Sequence, residues 1–160
     1  MRIALLLALF LEGCTQEPVA RRTVDPAVLP AKLDYYAGGY MGGGLVIECS
    51  GETITMRHLP MVGKVKVPKP LLFQPDAEHW RTFWRELADQ QVFQWRKKYP
   101  RGGDDGIQWN LEISYRRQQV VSSGDNSYPT RGNVKKATFD DESLRKFEGA
   151  LERLIGHPLQ

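Results

Sequence analysis

Between Trp109 and Tyr115 the chain alternates without interruption. Trp109, Leu111, Ile113 and Tyr115 are apolar, and Asn110, Glu112 and Ser114 between them are polar. Successive side chains of a strand point to opposite faces, so this pattern predicts a strand with one buried and one wet face. Arg116-Arg117 makes a short polar break, and residues 118–123 return as the partner strand. An earlier hairpin reads the same way. Residues 45–49 form a short apolar run of alternating character, Ser50-Gly51-Glu52 is a turn signal, and residues 53–57 alternate again. Two hairpins, each apolar on one side, must have those sides covered.

Two amphipathic segments supply the cover. Trp80, Phe83, Trp84 and Leu87 have helical spacing behind Pro75 and a candidate N-cap, Asp76. Leu144, Phe147, Leu151, Leu154 and Ile155 form a second stripe. Asp140 can cap it, Phe139 and Leu144 occupy the two positions of a hydrophobic staple, and Gly156 and Pro158 end it. Asp141 and Glu142 complement the helix dipole. The order β-β-α-β-β-α predicts an α+β fold: a two-layer sandwich in which an antiparallel sheet of two hairpins carries both helices on one face. Leu45, Ile47, Ile54 and Met56 then share a core with Leu111 and Ile113, covered by Phe83, Leu87, Phe147, Leu151 and Leu154. Glu48, Glu112 and Ser114 fall on the wetter face, which is the expected partner surface unless the glycine-rich lead-in covers it. Val65 and Val67, alternating with Lys64 and Lys66 before Pro68 and Pro70, suit an edge strand protected from aggregation. A chain of 160 residues is long enough for one domain with its own core, and its formal net charge of +3 gives no support to nucleic-acid binding.

The N-terminus speaks to location. Ile3 to Leu11 is an unbroken apolar run behind Arg2. A spanning helix needs about 20 residues, so the run is too short to cross a bilayer and has the length of an export-signal core. Leu11-Glu12-Gly13-Cys14 resembles the lipobox of bacterial lipoproteins in Leu11, Gly13 and Cys14, and departs from it at Glu12. The resemblance implies that the signal is cut before Cys14, that the Cys14 thiol carries a diacylglycerol and that the new amine is acylated. Thr15, where Asp would favour inner-membrane retention, implies the outer membrane facing the periplasm. The expected organisation is a signal peptide over 1–13, a lipid-anchored tether over 14–32 with Pro18, Pro26 and Pro30, and a single α+β domain over 33–160.

A second resemblance lies in the domain. Trp80-x-x-Phe83-Trp84-x-x-Leu87 with Val92 and Trp95, then Asp105-Gly106-x-Gln108-Trp109-x-Leu111-x-Ile113-x-Tyr115, then Ser123-Gly124-x-Asn126-x-Tyr128-Pro129, together resemble a group of uncharacterised bacterial proteins, several of them exported. It covers about residues 75–130 and implies no activity.

Candidate sites are few. Residues 35–44 (YYAGGYMGGG) lack the spacing of a phosphate or dinucleotide loop and read as a flexible lead-in whose exposed backbone a ligand can approach beside Tyr35, Tyr36 and Tyr40. Residues 124–129 (GDNSYP) combine turn formers with an aromatic, and Ser123, Asp125, Asn126 and Tyr128 can line a small site there. Trp80, Trp84 and Trp109 read as core, while Phe93 and Trp95 are less determined. Cys49 reads as a small buried hydrophobe rather than a nucleophile. Asp104 and Asp105 lack calcium-loop spacing, and His58, His79 and His157 show neither metal nor triad spacing. No catalytic residue, metal or cofactor is assigned. The expected function is a lipid-anchored envelope binding module for an envelope protein or glycan. The alternatives are a small envelope hydrolase using loops 104–106 and 123–128, or a purely structural lipoprotein.

Overall fold

The computed structural model describes residues 24–39, 42–63, 67–100, 102 and 106–159. The apolar N-terminal run, Cys14, Tyr40, Lys64, Val65, Lys66, Asp104 and Asp105 lie outside the described residues. Six strands form one antiparallel sheet: β1 (Lys32–Gly39), β2 (Gly42–Ser50), β3 (Thr53–Met61), β4 (Leu71–Phe73), β5 (Ile107–Tyr115) and β6 (Gln118–Asp125). Their spatial order is β4-β3-β2-β1-β5-β6. A separate two-stranded ribbon follows, β7 (Tyr128–Thr130) with β8 (Asn133–Thr138). Two helices complete the α+β fold, α1 (Ala77–Asp89) and α2 (Glu142–Ile155).

Both expected hairpins form, as β2–β3 and β5–β6, and their faces follow the alternation. Leu45, Ile47, Ile54, Met56, Leu111 and Ile113 are buried together, and Glu48, Glu112 and Ser114 take the opposite parity. The hairpins do not meet directly. The glycine-rich segment, expected as a flexible lead-in, is instead β1 and the start of β2, and β1 runs between the hairpins in the middle of the sheet. Leu33 and Tyr35 alternate inward along it. Its glycines have a steric reason. The Tyr36 ring lies over the Gly38–Gly44 pair on the outer face, where a Cβ on Gly38 would sit 2.3 Å from the Tyr36 hydroxyl and one on Gly44 2.7 Å from the Ala37 carbonyl oxygen. An aromatic ring across bare backbone compensates for strand glycines.

Of the expected edge strand only Val67 is described, and it lies outside any strand. A short edge strand, β4 at residues 71–73, pairs with Ile54, Thr55 and Met56. Pro70 immediately precedes it, in keeping with a short, blunted edge.

Each helix docks on inward-facing side chains. Trp84 of α1 stacks on Tyr115 of β5 with ring centroids 3.9 Å apart, and Phe147 of α2 meets Tyr35 of β1 edge-on at 5.2 Å. The helices are clasped by Arg153, whose Nε and Nη2 donate to the two carboxylate oxygens of Glu86 at 2.9 and 3.0 Å. Asp76 caps α1 as expected, accepting from the Glu78 and His79 N–H groups at 2.9 Å each. Asp76→Ala is therefore expected to cost about 1 kcal/mol, read as a lower urea midpoint with an unchanged slope. At α2 the Asp140 carboxylate accepts the Glu142 N–H at 3.0 Å, although Asp141 occupies the cap position itself. The staple does not form. Phe139 is 71% exposed and lies over Gly102, where a Cβ would meet the ring at 2.5 Å.

Residues ahead of 33 pack against the core. Val24 and Val28 are buried, Pro26–Val28 is a 3-10 turn, and the Val28 carbonyl accepts the Trp84 indole N–H at 2.7 Å. Among the described residues the buried apolar side chains form one cluster from Val24 to Leu159.

Candidate functional site: a glycine-floored cleft against the C-terminal helix

The structure separates the residues that the sequence suggests for ligand contact. Tyr35 and Tyr128 are buried in the core. Tyr36 stays on the outer face. Asn126 has a left-handed backbone (φ 47°), donates its N–H to the Ile107 carbonyl at 3.0 Å, and packs its side chain where a Cβ on Gly106 would sit. The Asp125 carbonyl accepts the Gly102 N–H at 2.8 Å. These two residues build the β6–β7 corner. Ser123 accepts the Tyr99 N–H at 2.8 Å through its backbone carbonyl. Among the described candidates Tyr36 and Ser123, together with the buried Tyr35, line one surface, a depression of about 400 Å³ on the outer sheet face with Val46, Lys97, Asn110 and Val121. The glycine-rich strand leaves that face open. Its charges are partly paired within the protein, Lys32 to Asp34 at 2.5 Å and Arg57 to Glu48 at 2.6 Å.

The remaining candidates settle as structure. Trp80, Trp84 and Trp109 are buried, and so is Trp95, while Phe93 is partly covered. The Cys49 thiol lies 3.4 Å from the Gly51 carbonyl, and burial pushes its pKa up to about 11, which leaves almost no thiolate near neutrality. His79 binds Asp76 at the start of α1, and His157 tilts against Phe73 near the end of α2. Among the described residues no three His, Cys, Asp or Glu side chains are grouped to hold a metal ion.

A cleft that the sequence reading did not name lies between the tip of the β1–β2 hairpin and the second half of α2. It encloses about 400 Å³. Gly39, Gly42 and Gly43 give it a floor of bare backbone, His58 and Ile107 flank it, and Glu148 and Glu152 face it from α2. Gly42 and Gly43 have φ of 75° and 80°, a region that side chains resist, so the floor stays open.

Glu148 is the unusual group. Its Oε1 accepts the Tyr35 hydroxyl proton at 2.6 Å. Burial raises its carboxyl above the ordinary glutamate range; the Tyr35 hydrogen bond opposes that shift, and the Asp141 and Glu152 charges add to it. Tyr35 is itself raised well above an ordinary phenol, chiefly by burial and then by Glu148. Glu152 is held from the other side, its Oε1 accepting the Leu159 N–H at 3.0 Å. The cleft thus offers backbone polar groups that a ligand can approach closely and two carboxylates that accept hydrogen bonds.

The sign of the Glu148 effect on stability follows from linkage. Its folded pKa lies above its unfolded value, so the folded state holds the proton more tightly. Stability is then lost as pH rises from the ordinary glutamate range through the raised folded pKa, and the penalty is complete above it. Glu148→Gln keeps an acceptor for Tyr35 and removes the charge. The variant should match the wild type at low pH and exceed its melting temperature above that window. Parallel melting curves across the whole range would contradict the assignment.

No protein-family model matches the chain, and no curated protein matches it.

Proposed function

We propose that this chain is a lipid-anchored cell-envelope protein, held by acyl chains on Cys14 at the outer membrane and facing the periplasm, that binds an envelope ligand or partner. The anchor rests on Leu11-Glu12-Gly13-Cys14 behind a short apolar run. Among the described residues no helix is long and apolar enough to cross a membrane. Two or three acyl chains hold a domain at a surface, since each buried methylene contributes about 0.8 kcal/mol. The binding half of the proposal is carried by one observation: the cleft, where bare glycine backbone faces a half-buried carboxyl on α2. The fold reads as an elaborated ββαββα sandwich, with β1, β4, β7 and β8 added to two hairpin–helix units.

Site-specific photocrosslinking in cells tests the binding site. Gly39 lines the cleft, and a side chain there meets nothing within 4 Å. Val121 lines the outer-face depression. A photoactivatable residue at Gly39 should give a discrete adduct, and one at Val121 should not. Adducts at Val121 alone would move the site to the outer face. No adduct at either position would remove the binding reading.

A second reading, a small envelope hydrolase, is favoured by one observation. The raised Glu148 carboxyl stands one helical turn from Glu152, and paired carboxyl groups in unlike environments suit acid–base chemistry. Glu148→Gln separates the two readings. It should leave the Gly39 adduct intact for a binding module, and increase the accumulated adduct or bound substrate for a hydrolase.

A further inference from the structure

We infer that the face formed by residues 96–98 and strand β8 docks on an anionic phospholipid bilayer. The sequence concentrates cations there. Residues 90–100 and 127–139 carry Arg96, Lys97, Lys98, Arg131, Lys135 and Lys136, and no carboxylate. All six side chains are exposed. The whole chain has a formal net charge of +3, so without these six the remainder is net acidic. A molecule polarised in this way turns one face to a negative surface and the rest away from it.

The fold holds the two segments side by side. The Tyr99 hydroxyl donates to the Val134 carbonyl and accepts the Arg96 N–H at 3.1 Å. Arg96 Nη1 donates to the Lys135 carbonyl at 3.5 Å. Tyr99 is buried, which fixes this seam. The acceptors along it are backbone carbonyls and a phenol, so no carboxylate is brought to the cations. Lys97, Lys98, Lys135 and Lys136 make no ion pair with any described residue. Two carboxylates bound the face. Glu142 holds Arg131 at 3.2 Å, and Glu112 shares the outer-face depression with Lys97 without pairing to it.

The occupant follows from this charge together with one aromatic. Phe139, the residue after β8, is exposed, and its ring lies over Gly102. Tyr99 and Gly102 donate their N–H groups to the Ser123 and Asp125 carbonyls, so the segment that begins with Arg96 runs along β6 to the Phe139 ring. The ring therefore borders the basic face. A polyphosphate chain would use the cations alone. A bilayer uses both, with lipid phosphates against the ammonium groups and the ring entering the interface. The affinity of this face stands on its own side chains and does not rest on the proposed anchor.

The test maps lysine acylation by mass spectrometry on the full chain, mixed with phosphatidylcholine vesicles with and without phosphatidylglycerol. The readout is local to each lysine, so failure of the anchor leaves it intact. Lys98, Lys135 and Lys136 should react more slowly on the phosphatidylglycerol vesicles, and high salt should abolish the difference. The exposed Lys69, beside β4 at the opposite edge of the sheet, should react alike on both. Lys135→Gln should weaken the phosphatidylglycerol-dependent binding about fivefold. Lys135→Glu/Lys136→Glu should remove the protection of Lys98, and Phe139→Ser should weaken binding with the charge unchanged. Circular dichroism should show these variants folded, since each side chain is exposed. Equal rates on the two vesicles, or slowing of Lys69 as large as that of Lys135, would overturn the inference. Protection by soluble polyphosphate with none by phosphatidylglycerol vesicles would overturn the bilayer and assign the face to a polyanionic chain.

Discussion

Replacing Trp109 with alanine is expected to destabilise the domain by about 3–5 kcal/mol. The ring is fully buried on β5, meets Trp95 edge-on at 5.7 Å and lies against Tyr99 at 5.9 Å. Its Nε1 donates to the Ser127 carbonyl at 3.0 Å, so truncation leaves a cavity and an orphaned buried acceptor together. A domain of this size has about 5–15 kcal/mol of stability in all, so the variant should melt far below the wild type. Unchanged melting would remove Trp109 from the core.

Gly124→Ala should be comparably damaging, at about 3 kcal/mol. Gly124 pairs with Trp109 across β5 and β6. A Cβ there would lie 2.1 Å from the Ser127 carbonyl oxygen and 2.5 Å from the Trp109 Nε1. The first contact is with backbone, which cannot rotate away. The two substitutions share a partner, so their costs should not add. In Trp109→Ala the indole is gone and only the Ser127 clash remains, and the double variant should lose less than the sum measured by urea unfolding. Strict additivity would mean that the glycine is not shaped by the indole.

What the sequence makes legible follows from periodicity. Residues 109–115 and the stripe from Leu144 to Ile155 each repeat long enough to define a face, and the structure places those faces as the pattern predicts. β1 is hidden because it ends in Gly38 and Gly39, which carry no hydropathy signal, although Leu33 and Tyr35 still alternate inward. β4, β7 and β8 span three to six residues each, too few for a period to show. The cleft was hidden for another reason. Glu148 reads as one more charge on a helix, yet it sits four residues after Leu144 and three before Leu151, inside the apolar stripe. That interruption is the signal that points to it. The partner that gives it meaning, Tyr35, lies 113 residues away in sequence and reads alone as a surface aromatic beside glycines.

The outer face illustrates the converse. Its parity was legible, and Glu48, Glu112 and Ser114 fall where alternation puts them. Whether anything covered it depended on the path of residues 35–44, which only the strand pairing decides.

The anchor is the central claim, and the mass of the intact protein from cell membranes tests it most directly. The account predicts that residues 1–13 are absent and that the chain begins at Cys14 with the added mass of a diacylglyceryl group and an N-acyl chain. Cys14→Ala should lack that mass and leave the washed membrane fraction. An unmodified Cys14 with residues 1–13 still attached, or unchanged membrane association of Cys14→Ala with its apolar run retained, would contradict the account.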